Sequence, residues 1–247
     1  MPLKSFLSLK SSIFGFSKFK YSFDNLKTNN NLAFIDEIDF LHAYKKAVDL
    51  VGKDLKIPLR IHQALWSAMN SLKIEGDFVE LGCGAGFTFI SVLNYLKLKN
   101  YDFSCKNVYL FDSFLPVKPD SFGIQELTGT TRKPDAYANS IGEVKERFAE
   151  WQNVKLIEGL LPDSINKILS SLKSISFLHV DLNHHLAEIS SLEILYDMVS
   201  NGGIILLDDY ANPGRELQRI AHNDFFKTKR QNILTLASGQ GLIVKIK

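Results

Sequence analysis

Cysteine is nearly absent from this 247-residue chain: Cys83 and Cys105 are all it has. Two thiols make no disulfide framework and fit a reducing cytoplasm, the expected location. No apolar run approaches the roughly eighteen residues that a membrane span needs. Strong charge of either sign is also missing. The formal net charge is +2 and the pI about 8.4, without the concentrated basic face that nucleic acid would require. No Pro/Gly/Ser-rich linker divides the chain, and its length suits one α/β domain with a full core, expected over 59–247. Residues 1–23 contain no acid and no arginine, only Lys4, Lys10, Lys18 and Lys20 among five phenylalanines and six serines. They also lack a secretory apolar core before a small-residue cleavage site, so a targeting peptide is not expected. Residues 1–58 are read as an arm and a helix packed on the domain or on a partner subunit. Contact with an acidic membrane surface is the lesser alternative.

What is present is an alternation of strand and helix. Apolar spacing predicts helices at 35–51 and 59–72, the second starting just after Pro58. Strands follow at 78–81, 108–111, 154–157, 175–180 and 204–207, short hydrophobic runs of the kind that form central parallel strands. Between them helices are predicted at 85–96, around Ile141 to Trp151, from Pro162 through Leu172, and at 186–199, the last stopped by Asn201-Gly202-Gly203. Residues 232–236 and 242–246, joined by Ala237 to Gly241, read as a closing antiparallel hairpin. The pattern is that of a doubly wound, mostly parallel seven-stranded sheet preceded by N-terminal helices. Residues 113–140, with Pro116, Pro119, Pro134, Gly123 and Gly129, are too irregular for regular structure and read as a substrate lid in which Arg132 and Lys133 meet an anionic group.

Two patches carry chemistry. In Phe78-Val79-Glu80-Leu81-Gly82-Cys83-Gly84-Ala85-Gly86 the glycines let the backbone approach a ligand while the next helix points its N–H groups at it. A dinucleotide fold would place glycine or alanine at 87, where Phe87 stands, which disfavours a nicotinamide oxidoreductase. A carboxylate before the glycines suits a cationic ligand, and S-adenosylmethionine carries a sulfonium and an ammonium group. Glu80, Gly82, Cys83, Gly84 and Gly86 are therefore expected to line this cofactor, Cys83 as a small packing residue. Asp112, followed by Ser113, is placed to accept hydrogen bonds from the ribose, and Glu158 and Gly159 border the adenine. The second patch is Phe177-Leu178-His179-Val180-Asp181 with Ile204-Ile205-Leu206-Leu207-Asp208-Asp209. Three carboxylates at neighbouring strand ends repel one another and call for a cation. All-oxygen ligands, Asp181, Asp208 and Asp209, point to Mg²⁺, Mn²⁺ or Ca²⁺. Such an ion would acidify an acceptor hydroxyl, whose proton Asp181 would remove, with His184 or His185 as the competing base.

These residues give the chain a family resemblance. Arg60 to Trp66, Gly76 to Gly82, Tyr109 to Phe114, Gly202 to Tyr210 and Gly239 to Ile243 resemble the macrocin O-methyltransferase family, whose enzymes methylate sugar hydroxyls on macrolides. The aspartate pair followed by Tyr210 is the most specific of these. The resemblance spans roughly 60–247. It implies a class I methyltransferase fold, S-adenosylmethionine, Mg²⁺ on Asp181, Asp208 and Asp209, and an oligomer built with N-terminal helices. Where the antibiotic enzymes have D-x-D-L-Y, His179 to Asn183 keeps only the second acid and replaces the tyrosine, so the acceptor is read as a sugar, a glycan precursor or another small hydroxylated metabolite. A metal-independent N- or C-methyltransferase and a non-catalytic cofactor-binding scaffold stay open as alternatives.

Overall fold

The structure, a computed structural model, describes residues 20–30, 32–115 and 140–247. The arm 1–19 and most of the expected lid, Arg132 and Lys133 included, lie outside them. An antiparallel hairpin, β1 (Tyr21–Phe23) and β2 (Leu26–Thr28), turns at Asp24 and Asn25 and leads to α1 (Ile38–Val51) and α2 (Pro58–Ser71). Pro58 starts α2 because its fixed φ suits the first helical turn and the N–H it lacks would be unpaired there.

Then come β3 (Asp77–Leu81), α3 (Phe87–Leu98), β4 (Val108–Asp112), α4 (Ile141–Arg147), β5 (Val154–Glu158), β6 (Ile175–Val180), α5 (His185–Leu195), β7 (Val199–Leu207), α6 (Glu216–Thr228), β8 (Leu234–Thr235) and β9 (Gly241–Val244). The seven-stranded sheet has the order β5-β4-β3-β6-β7-β9-β8. The five central strands run parallel, and β9 lies antiparallel to both β7 and β8. The chain winds outward from β3 to β5 and then returns to lay β6 against the other side of β3. The strand order thus reverses at β3/β6, and ligands of open α/β sheets bind beyond the strand ends at such a point.

Period-two alternation decides which residues face which layer. Phe78 packs with Phe89, Phe177, Tyr44 and Leu65 under α1, α2 and α3, while Val79 and Leu81 pack with Leu178, Val180, Leu192 and Phe226 under α5 and α6. Each fully buried aromatic or aliphatic side chain of this kind contributes roughly 1.5–3 kcal/mol.

Two expectations need correction. The helix predicted through Leu172 is only a 3-10 turn at Asp163–Lys167. Ile165, Ile168 and Leu172 are buried as expected, but the Ser171 hydroxyl donates to the Ile168 carbonyl at 2.9 Å and the chain leaves the helical path. Asn201-Gly202-Gly203 does not end a helix; it lies inside β7, where Gly202 donates to the Lys245 carbonyl at 2.7 Å and Lys245 donates back to Gly203 at 2.9 Å. The hairpin at 21–28 and helix α6 are additions. Among the described residues no helix is long and apolar enough to cross a membrane.

Candidate active site

At the reversal point the glycine turn and the second patch touch. Gly82 has φ +89°, and a Cβ there would lie 2.0 Å from the Asp181 carbonyl oxygen, so no side chain fits between β3 and β6 at this level. Gly86, at φ +85°, precedes α3, and no side chain caps the helix there. The first N–H groups of α3 therefore find no side-chain cap among the described residues and are open to a ligand or water. Asp112 holds the turn in shape: one carboxylate oxygen accepts from Gly84 N–H at 2.8 Å, the other from Phe114 N–H at 2.9 Å. Ser113 follows it, its hydroxyl accepting from Leu115 N–H. Glu158 pairs with Asp112 in register, and Gly159 N–H donates to the Asp112 carbonyl at 2.9 Å, so both border the same rim. Cys83 is buried, and burial pushes its thiol well above the usual range, which keeps it neutral and non-nucleophilic.

Glu80 is buried one residue before the end of β3. It lies opposite His179 in register, and its Oε1 is 2.9 Å from His179 Nδ1, both side chains being buried. Glu80 Oε2 is buried with no hydrogen-bond partner among the described residues. Burial pushes the Glu80 carboxyl up. From His179 the contacts run on to the second patch. Its Nε2 is 3.5 Å from Asp208 Oδ1, and Asp208 Oδ2 takes Arg60 Nη1. The same nitrogen is 3.5 Å from Asp209 Oδ1, whose other oxygen lies 3.3 Å from Arg215 Nε. Acid and base alternate from Glu80 to Arg215. Burial opposes protonation of His179, but the carboxylates of Asp208 and Glu80 outweigh it and push its pKa up to about 10. Burial would raise Asp208, yet Arg60, His179 and the Gln240 amide hold it far below the usual carboxylate range. Asp209 is raised by burial and by the charge of Asp208.

Asp181 differs from its neighbours. Burial and then the charges of Asp208 and Asp209 push its carboxyl well up. Its only side-chain hydrogen bond among the described residues is from Asn183 Nδ2, at 3.4 Å. Among the described residues four acids, Glu80, Asp181, Asp208 and Asp209, meet three bases, and Asp181 is the acid with no cation of its own. His184 caps α5, its Nδ1 accepting from Ala187 N–H at 3.3 Å, and its ring stacks on His185 at 5.6 Å.

The three aspartates are thus brought together, as their strand ends required. The oxygens of Asp208 and Asp209 are nonetheless occupied: Arg60 and the Gln240 amide (2.7 Å) hold Asp208, while Arg215, Arg60 and Asn212 hold Asp209. So arranged, the donor set does not fit an added divalent ion, and among the described residues no group of His, Cys, Asp and Glu is placed to hold one. The expected Mg²⁺ finds no support in this geometry. Arg60, His179 and Gln240 stand in motifs of the sequence that give them no role in this cluster, and Arg215 stands in none. The available signal was Glu80 and His179, two ionisable residues at matching places inside apolar strands.

A glycine turn and an acid-bearing strand end at the reversal point of a seven-stranded sheet, with antiparallel strands closing one edge, define the site of a class I methyltransferase. The chain belongs to the macrocin-O-methyltransferase (TylF) family, whose model matches residues 46–234. It is an S-adenosylmethionine-dependent O-methyltransferase. No curated protein gives a match. Among solved structures, the O-methyltransferase NovP superposes with a TM-score of 0.66 at 19% identity, over 82% of this chain and 88% of NovP. CalS11, the calicheamicin methyltransferase, gives 0.65 at 15% identity over 84% and 93%, and its apo form is described as a TDP-rhamnose 3′-O-methyltransferase. An O-methyltransferase from Bacillus cereus, in complex with SAH, gives 0.54 at 13% identity over 83% and 91%.

Proposed function

We propose that the enzyme methylates a hydroxyl of a sugar, a glycan precursor or another small hydroxylated metabolite, with Asp181 as the base. The observation that carries the reading is the contact of the Gly82 turn with Asp181, which sets beside the glycine turn the one acid of the cluster that pairs with no cation among the described residues. The family name and the sugar acceptor in the description of CalS11 support a sugar hydroxyl.

Bound S-adenosylmethionine supplies an electrophilic methyl group on a sulfonium. The backbone of Gly82, Cys83, Gly84 and Gly86 makes room for it, and Glu80 has one buried oxygen left to face its cationic part. Asp112 and Ser113 take the ribose side of the rim, Glu158 and Gly159 the adenine side. Asp181 accepts the proton of the acceptor hydroxyl as that oxygen takes the methyl. Its raised pKa makes it a better base than an ordinary carboxylate. Asp208 and Asp209, fixed by Arg60 and Arg215, keep the field around Asp181 negative. His184 is the weaker candidate base, because its Nδ1 is spent on the helix cap.

The test is a panel of TDP-sugars and other polyhydroxylated acceptors incubated with S-adenosylmethionine, with products assigned by mass spectrometry and NMR. A methyl on oxygen, lost with Asp181→Asn while calorimetry still registers S-adenosylhomocysteine, is the expected result. A methyl on nitrogen or carbon, or turnover unchanged in that variant, would refute the reading.

A further inference from the structure

We propose that Arg60 is the built-in counter-ion of the carboxylate cluster, taking the place of a divalent cation on Asp208 and Asp209 and competing with one for their oxygens. The pairing spans 148 residues of sequence, yet Nη1 alone reaches Asp208 Oδ2 and, at 3.5 Å, Asp209 Oδ1. The guanidinium is 14% exposed and the two carboxylates 11% and 9%, so the charges meet with little solvent between them. A planar, weakly hydrated guanidinium suits such a place better than a compact, strongly hydrated ammonium.

The backbone holds Arg60 as firmly as the acids hold its head. Ile57, the residue before α2, gives no side-chain cap. Asp24 of the N-terminal hairpin supplies one instead: its carboxylate accepts from Leu59 N–H at 2.9 Å and from Arg60 N–H at 3.4 Å. The Tyr21 hydroxyl also accepts from Leu59 N–H, at 3.0 Å, and donates to Asp24. Hairpin, helix start and guanidinium therefore form one rigid connection into the cluster. A divalent ion bridging Asp208 and Asp209 would need the space and the charge that Arg60 already provides. The inference concerns the same pocket as the proposed methyl transfer, but it stands on the cluster alone and is read without turnover.

The experiment is Mn²⁺ titration followed by electron paramagnetic resonance on the full chain, with S-adenosylhomocysteine calorimetry run in parallel to report the cofactor site separately. Wild type should bind Mn²⁺ weakly, Arg60→Met about 100-fold more tightly because one opposing charge in a poorly solvated place is gone, and Arg60→Met/Asp208→Asn weakly again. Equal affinity in wild type and Arg60→Met overturns the proposal, as does absence of binding in both. Tight binding by wild type that Asp208→Asn abolishes overturns it without any Arg60 variant. Should Arg60→Met not fold, Arg60→Lys, whose compact, strongly hydrated ammonium suits this poorly solvated place less well, should bind more tightly than wild type; equal affinity there overturns the proposal too.

Discussion

The two ends of strands β3 and β6 are both polar, but they are built differently. At the end where the strands begin, Lys106 is buried and its Nζ donates to the Gly76 carbonyl at 2.7 Å, to the Ile74 carbonyl and to Ser176 Oγ at 3.3 Å. Asp77 accepts from Asn107 N–H at 2.8 Å. One cation there meets neutral acceptors and stitches the entering chain segments together. At the end where the strands finish, acids outnumber bases and repel one another while they pair with arginine and histidine. Replacing buried ion pairs by apolar side chains is often neutral or stabilising. Charge concentrated beyond what folding needs is therefore kept for chemistry, and the perturbed carboxyls mark the functional end.

Exchanging one group at each end should separate these roles. Asp181→Asn should lower turnover by about 10²- to 10⁴-fold, the usual size of a base's contribution. It should leave thermal stability unchanged or improved. The sign follows from the raised carboxyl of Asp181: its favourable contribution to folding is present below the ordinary carboxylate pKa and is lost as pH rises through the folded value, so at neutral pH its ionised form opposes folding. Comparable losses of activity and of melting temperature would show Asp181 to be structural. Lys106→Met should do the reverse. It strands the Ile74 carbonyl, leaves the Gly76 carbonyl to the Ser176 hydroxyl alone, and should lower stability by about 1–3 kcal/mol in urea unfolding. Turnover well below the transition should not change. A selective loss of turnover in that variant would erase the distinction between the two ends.

How far the sequence showed this depends on the kind of interaction. The strands were legible because each ends where an apolar run meets glycine or aspartate, and the sheet then forces Gly82, Asp181 and Asp208 to one edge. The counter-ions were not. Arg60 reaches the cluster from a helix 148 residues away in sequence, and nothing local in Arg60-Ile61-His62 signals a buried partner. Helix α6 escaped for a different reason: it buries Gln218 and His222 beside Phe225 and Phe226, while Leu217 and Ile220 stay exposed. Its inward face is partly polar because Gln218 Nε2 donates to Glu188 Oε1 at 2.8 Å and His222 Nε2 lies 3.0 Å from Glu188 Oε2, so apolar periodicity points to the wrong side. Gln240 lay in a motif that was recognised, but its bond to Asp208 is a tertiary contact no motif spells out.

The smallest expected effect lies in the hairpin that couples the N-terminal segment to the functional end. Asp24 caps α2 from outside the helix, so Asp24→Asn, which keeps one acceptor oxygen, should cost at most about 1 kcal/mol. Burial pushes the Asp24 carboxyl up, more than the Tyr21 hydroxyl and the Leu59 amide pull it down. A raised carboxyl stabilises the fold below its unfolded pKa and loses that contribution as pH rises through its folded value. Asparagine does not titrate, so the cost of Asp24→Asn should be larger near pH 4 than near pH 7, the ordinary carboxylate pKa lying at about 4. Urea midpoints of both proteins at the two pH values measure this. A cost that grows with pH would mean that ionised Asp24 is held by its amides more strongly than it is opposed by burial. Asp24 would then resemble Asp208, a carboxyl whose charged form the fold favours.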